Sequence, residues 1–170
     1  MNFKDKIRVV ENFPEEGISF KDITTLMKDG PAFHQAIDEL ASQFASEHIE
    51  LVVGPEARGF AVGAPLAYTL GAGFVPVRKP GKLPAPTYIY DYSLEYGKDC
   101  LEIHRDAIQP GQKVLIADDL LATGGTTLAA IHLIEKLGGQ VVGLAYMIEL
   151  AFLEGRKKLK DYRIVTLTEY

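Results

Sequence analysis

The chain has 170 residues, a length that fits one domain able to bury roughly 70% of the surface that its unfolded form exposes. Its 23 acidic and 18 basic side chains give a net charge of −5, the wrong sign for a protein that binds by neutralising a nucleic-acid backbone. The single cysteine, Cys100, excludes an internal disulfide, and no apolar run reaches the length of a signal peptide or membrane span. Composition therefore predicts a cytoplasmic domain whose partners are small molecules, with no nucleic acid and no membrane among them.

The first half of the chain alternates helical and strand patterns. Apolar residues at helical spacing predict a helix over 31–48, and the short apolar run Glu50–Val53 predicts a strand. The small-residue-rich stretch Gly59–Leu70 predicts a second helix, and Phe74–Val77 predicts a second strand.

A different pattern follows in the middle of the chain. Arg78–Pro86 holds three prolines, a glycine and three basic residues, a composition typical of a loop. Tyr88, Tyr90 and Tyr92 then alternate with other residues, which predicts a β-hairpin that turns at residues 97–99 and projects from the main body. We expect residues 79–96 to form a flexible flap with its tyrosines exposed on a lid face.

The last third returns to the alternating pattern. Val114–Ala117, Gln140–Ile148 and Arg163–Leu167 read as strands, with helices at Thr126–Leu137 and Phe152–Leu159. Strands that alternate with helices indicate an α/β fold, here a mostly parallel twisted sheet flanked by helices on both faces. We expect residues 1–170 to form one such domain.

The most informative segment runs from Asp118 to Thr127. Two adjacent carboxylates follow a predicted strand, and Thr-Gly-Gly-Thr-Thr then opens a helix, so backbone N–H groups and hydroxyls meet at the helix's positive end. Such a point suits a phosphate, and the paired acids suit a vicinal diol, which together indicate phosphoribose. The alternative is that the acids only cap a turn that the glycines shape. Neither a Walker loop nor a dinucleotide fingerprint is present in the sequence.

Two further loops carry basic residues. Arg58 follows the first strand and suits a pyrophosphate, or else pairs with Glu56 on an exposed turn. Arg78, Lys79 and Lys82 stand at the base of the flap, where the alternative is a solvated run of charges.

With these residues in hand, the chain resembles a known family. The Asp118–Thr127 string is similar to the phosphoribosyl-pyrophosphate motif of the type I phosphoribosyltransferases, and Gly54–Phe60 with Val77–Ala85 resembles the adenine-specific branch. The resemblance implies transfer of phosphoribose from 5-phosphoribosyl-1-pyrophosphate (PRPP) to adenine, giving AMP and pyrophosphate. It also implies a homodimer, and Mg²⁺ held through substrate and water rather than directly by protein ligands.

The resemblance also implies a role for each site residue. It implies that Asp118 and Asp119 bind the ribose hydroxyls and that Arg58 and Lys82 bind the pyrophosphate, with Lys79 in the same group. The 5-phosphate is assigned to Ala122, Thr123, Gly124, Gly125 and Thr126, and the base to Phe20, Lys21 and Leu150.

Glu95 is assigned to catalysis together with Arg58. Transferases for hypoxanthine and guanine place an aspartate where this chain has Ala122, so the acid that manages the purine's proton has to come from elsewhere, and the resemblance implies Glu95 on the flap. The alternative is a surface glutamate on a hairpin. For the whole chain, the alternatives are a transferase for another base such as xanthine, and a regulator that senses PRPP.

Overall fold

A computed structural model describes residues 1–94 and 97–170, and it contains one central sheet. Five parallel strands lie in the order β4-β3-β7-β8-β9. Their bounds are β3, Leu51–Pro55; β4, Gly73–Val77; β7, Lys113–Leu121; β8, Gln140–Glu149; and β9, Ile164–Glu169. The predicted parallel sheet is confirmed.

Helices connect these strands. They are α1, Thr24–Met27; α2, Gly30–Phe44; α3, Arg58–Leu70; α4, Gly125–Lys136; and α5, Gly155–Lys158. The predicted helix over 31–48 ends at Phe44 instead, and the predicted helix over 152–159 is a 3₁₀ turn, Ala151–Leu153, followed by the short α5. No helix in the described parts of the chain is long and apolar enough to cross a membrane.

The strands bury both of their faces, as parallel strands do. Neighbouring residues along a strand point into different cores: Val52 packs with α2 and α3, whereas Val53 packs with α4. In β7 the same alternation separates Leu115 from Ile116. This sheet is the rigid base from which the loops at its carboxyl edge project.

Two antiparallel ribbons complete the fold. β1, Arg8–Glu11, pairs with β2, Ser19–Asp22, a ribbon that the sequence analysis did not predict. β5, Thr87–Leu94, pairs with β6, Gly97–His104, which confirms the predicted hairpin.

The position and packing of this second hairpin correct two predictions. Residues 97–99 belong to strand β6 rather than to the turn, since Asp99 pairs with Tyr92. The expected exposed tyrosine face is also wrong, because Tyr88, Tyr90 and Tyr92 are half-buried and pack against the core on the α4 side. Tyr90 stacks on His132 of α4 with ring centroids 4.5 Å apart. The hairpin is therefore seated on α4 along its inner face.

Candidate active site

Most of the predicted site residues lie at the carboxyl ends of strands β3, β4, β7 and β8, as expected for an open α/β fold. Strand β7 runs to Leu121, four residues beyond the predicted end, so Asp118 and Asp119 lie within the strand rather than after it. The sequence pattern failed here because the strand keeps its pairing to β8 through the acidic pair, with Asp118 opposite Tyr146. A strand position holds these carboxylates more rigidly than a loop would.

Arg58 connects two of the loops. Its Nε donates a hydrogen bond to Oδ2 of Asp119, whose side chain is buried, while the Arg58 side chain is half exposed. This partner replaces Glu56, the alternative that the sequence left open. Arg58 begins α3, and its guanidinium carbon lies 5.5 Å from the centroid of the Phe20 ring. One arginine thus joins the acidic pair to the β1–β2 ribbon.

The neighbouring Asp118 carries an electrostatic cost. Packing of protein around this carboxyl raises its pKa well above the ordinary 3.8, and the adjacent Asp119 carboxylate raises it further. Asp118 Oδ1 accepts a hydrogen bond of 2.8 Å from the Asp119 backbone N–H. A Cβ on Gly59 would lie 3.0 Å from that same oxygen, so glycine at the start of α3 leaves room for the carboxyl.

The loop after β7 forms a small concave cradle. Its cavity of about 70 Å³ is lined by the backbone and side chains of Asp118, Leu120, Leu121, Ala122, Thr123, Gly124, Gly125, Thr126 and Thr127. Gly124 adopts a left-handed conformation (φ 81°) at the N-terminus of α4, and the helix's first residues, Gly125–Thr127, line the cradle. The first N–H groups of a helix have no acceptor within the helix. This geometry suits a tetrahedral anion such as a phosphate.

α5 lies directly behind this cradle. A Cβ on Gly155 would stand 2.3 Å from the Ala122 carbonyl oxygen, and one on Gly124 would stand 3.1 Å from the Gly155 carbonyl oxygen. Below it, the buried Tyr146 hydroxyl and the Thr127 hydroxyl are 2.6 Å apart. These contacts set the position of the loop, and the sequence analysis missed them because they join residues distant in the chain.

Beside the cradle, a larger cavity of about 370 Å³ opens between β3 and β7. It is lined by Glu56, Ala57, Arg58, Asp118, Asp119, Leu120, Ala122 and Thr126. Its volume falls within the range typical of small-ligand sites. The two cavities have Asp118, Leu120, Ala122 and Thr126 in common in their linings, so the acidic pair and Arg58 lie next to the cradle.

The basic loop after β4 approaches from the side of β3. Glu56 Oε1 accepts a 2.5 Å hydrogen bond from the Lys79 backbone N–H and lies 3.4 Å from Nε of Arg78. The Lys82 backbone N–H donates to the Lys79 carbonyl, and the Lys82 carbonyl accepts from the Arg78 guanidinium. These two hydrogen bonds close a turn. Glu56 therefore shapes the basic loop rather than neutralising Arg58.

The Lys79 ammonium is bonded to Asp99 of the hairpin. Burial alone would lower the pKa of Lys79, but the hydrogen bond to Asp99 and the charge of that carboxylate together outweigh burial, and the pKa is raised. The same Asp99 oxygen accepts a 3.2 Å hydrogen bond from the Tyr92 hydroxyl. That hydroxyl in turn lies 3.4 Å from the Thr126 hydroxyl. This chain of contacts, absent from the sequence-based prediction, runs from the basic loop to the cradle.

The residues assigned to the base lie on two separate segments. Phe20 and Lys21 are on β2, and Leu150 follows β8, where its N–H donates to the Leu121 carbonyl at 2.9 Å. Glu95 lies outside the described residues. Within residues 1–94 and 97–170, no three His, Cys, Asp or Glu side chains gather as a metal-binding group.

Comparison with known proteins agrees with this geometry. The sequence model of the phosphoribosyl transferase domain matches residues 24–169, most of the chain. The chain belongs to the phosphoribosyltransferase family, the class that its sheet and phosphate cradle define.

Individual relatives indicate which branch of the family the chain resembles. The adenine phosphoribosyltransferase of Alkaliphilus metalliredigens is 62% identical over the full length of both chains. The crystal structure of adenine phosphoribosyltransferase from Thermoanaerobacter pseudethanolicus superposes with a TM-score of 0.96 at 55% identity, covering 99% of this chain and 98% of that one. The Saccharomyces cerevisiae enzyme, complexed with an iminoaltritol bisphosphate and adenine, superposes with a TM-score of 0.91 at 41% identity. The match covers 97% of this chain and 96% of that one. Within the family, the chain groups with the adenine phosphoribosyltransferases.

Proposed function

We propose that this protein transfers the phosphoribosyl group of PRPP to adenine, forming AMP and releasing pyrophosphate. The observation that carries the proposal is a pair of adjoining cavities with common lining residues, along which an anion cradle, two carboxylates and an arginine lie side by side. A phosphate, a ribose diol and a pyrophosphate are the three groups that such a set would bind.

In this reaction N9 of adenine forms a bond to C1 of the ribose as the bond from C1 to the pyrophosphate oxygen breaks. The N9 proton leaves, and the pyrophosphate departs with the bonding electrons. Catalysis then requires alignment of the two substrates and stabilisation of the charge on the leaving group. Asp118 and Asp119 would fix the sugar, and Arg58 would face the departing pyrophosphate.

Mg²⁺ fits this donor set as a partner of the substrate. The Asp119 carboxylate is already bonded to Arg58, so the ion would take most of its ligands from pyrophosphate, ribose oxygens and water. When bound, it would neutralise charge on the pyrophosphate. Lys79 and Lys82, on the basic loop, would supply further positive charge.

Glu95 is proposed as the group that accepts or relays the purine's proton. Glu95→Gln should lower kcat by about a hundredfold, the usual scale of general acid–base catalysis, with little change in the KM of either substrate. Steady-state kinetics measure this, and Asp106→Asn, on an exposed turn after β6, is the control. An unchanged kcat in the glutamine variant would leave Glu95 as a surface residue.

The proposed function is tested by offering adenine, guanine, hypoxanthine and xanthine to the purified protein with Mg²⁺ and PRPP. AMP from adenine alone is the expected result, and the Asp118→Asn, Asp119→Asn double variant should lose it. Turnover of another base would overturn the assignment to adenine, and PRPP binding without turnover would indicate a regulator. A homodimer and a cytoplasmic location stay predictions, the first open to sedimentation analysis.

A further inference from the structure

We propose that Tyr170 is a positioning residue for the base, holding both sides of the adenine pocket at their working distance. The inference rests on the proposed function, because it concerns the adenine pocket that the resemblance assigns to Phe20, Lys21 and Leu150. Tyr170 contacts the segments on both sides of that pocket, and neither contact involves a residue of the phosphate cradle.

The first contact is with the N-terminal part of the chain. The ammonium groups of Lys4 and Lys21 lie 4.8 and 4.7 Å from the centroid of the Tyr170 ring, both within cation–π distance. Lys21 is on β2, next to Phe20, and its ammonium also donates to the Ser19 hydroxyl at 2.8 Å. The ring therefore fixes the strand that carries Phe20.

The second contact is with the chain around Leu150. The Tyr170 N–H donates to the Glu149 carbonyl at 2.9 Å, and the Tyr170 carbonyl accepts from the Ala151 N–H at 3.0 Å. These bonds bracket Leu150, whose own N–H is bonded to Leu121. Leu150 is thereby held between β7 on one side and Tyr170 on the other.

Together the two contacts set the width of the pocket. Phe20 approaches Arg58 from the ribbon, while Leu150 sits at the end of β8, and no strand pairing in the sheet connects the β1–β2 ribbon to β8. Tyr170 supplies that connection with its ring on one side and its backbone on the other. A purine sandwiched between Phe20 and Leu150 needs this spacing, whereas the phosphoribosyl end does not.

The test is the KM for adenine in Tyr170 variants of the full chain, with the KM for PRPP measured alongside. Tyr170→Ala should raise the adenine KM about tenfold, equivalent to roughly 1.4 kcal/mol, and change the PRPP KM less than about twofold. Tyr170→Phe keeps the ring and should behave as the wild type. Tyr68→Ala is the matched control, because Tyr68 of α3 is 89% exposed, and its adenine KM should stay near the wild-type value.

Each result decides between the inferences. An unchanged adenine KM in Tyr170→Ala, or an equal rise in both KM values, overturns the positioning role while AMP formation by the wild type leaves the proposed function intact. No AMP from the wild type overturns the proposed function and this inference with it. Should the alanine variant fail to fold, Tyr170→Leu retains apolar bulk without a π face and is expected to show the same selective rise.

Discussion

At the scale of single residues, Asp118 shows a site built at the expense of stability. Its carboxyl stands beside the Asp119 carboxylate, and its pKa is raised by burial and by that neighbour. Over the pH range between the ordinary value and this raised one, the folded protein binds more protons than the unfolded chain. Stability of the ligand-free protein therefore falls as pH rises through that range.

Asp118→Asn should accordingly stabilise the free protein while weakening its substrate binding. At pH 7 the free energy of unfolding should rise, because the asparagine carries no charge for burial and the Asp119 carboxylate to disfavour. Urea unfolding at pH 7 and at pH 4 measures the gain, which should shrink at the lower pH. Calorimetry with PRPP should show weaker binding, and a variant less stable than the wild type at pH 7 would contradict the argument.

At the scale of elements, the hairpin and the basic loop are joined through one ion pair. Asp99 occupies the Lys79 ammonium that is proposed to meet pyrophosphate, so substrate has to compete with a carboxylate of the protein itself. A partly exposed pair of this kind is worth up to about 1 kcal/mol. Because this ion pair has to break before Lys79 can meet pyrophosphate, the pairing lowers the affinity for PRPP.

Asp99→Asn is expected to lower the KM for PRPP about two- to fivefold, the factor that a partly exposed ion pair allows. Steady-state kinetics test this, with Lys79→Met as the second single variant of a double-mutant cycle. In the Lys79→Met background, Asp99→Asn should have no effect on the PRPP KM. A rise in KM for Asp99→Asn alone would mean that the aspartate aims the lysine rather than competing for it.

A second prediction concerns the contact between α5 and the phosphate cradle. Gly155→Ala forces the Ala122 carbonyl to move, because a Cβ would lie only 2.3 Å from its oxygen. The PRPP KM should rise at least about tenfold, since an ångström of misplacement can cost a hundredfold in rate. Gly30→Ala, where a Cβ meets nothing within 4 Å, is the control and should leave the KM unchanged.

These elements also show how far the sequence could lead. Hydrophobic periodicity, with glycine and proline at the ends of elements, located the central strands. The Asp118–Thr127 string located the turn that opens α4, and both signals are local. The β1–β2 ribbon was missed since its two strands are held by pairing between Arg8 and Asp22 rather than by an apolar pattern. The tyrosines of β5 read as exposed because the α4 face that covers them is distant in sequence.

At the scale of the whole molecule, the substrate should act as a folding ligand. PRPP with Mg²⁺ contacts loops from β3, β4 and β7 in the proposed complex, and a ligand that binds only the folded state stabilises it by mass action. At a hundred times the Kd, the gain of about 2.7 kcal/mol should raise the thermal midpoint by roughly 5–10 °C for a domain of this size. Thermal unfolding followed by circular dichroism measures the shift.

The Asp118→Asn, Asp119→Asn double variant serves as the comparison in this experiment. It should show little shift with the same ligand, because the paired carboxylates are proposed to hold the ribose. An equal shift in both proteins would place the stabilising contact elsewhere on the surface.

The contacts of Tyr170 have a consequence for how the chain folds. The phosphate cradle is made almost entirely from one continuous stretch, residues 118–127, with Gly155 behind it. The base end joins residues 4 and 21 to residues 150 and 170, so its loop closure spans nearly the whole sequence. Contacts of such long sequence separation form slowly. During refolding, competence to bind a phosphate should therefore precede competence to bind a purine.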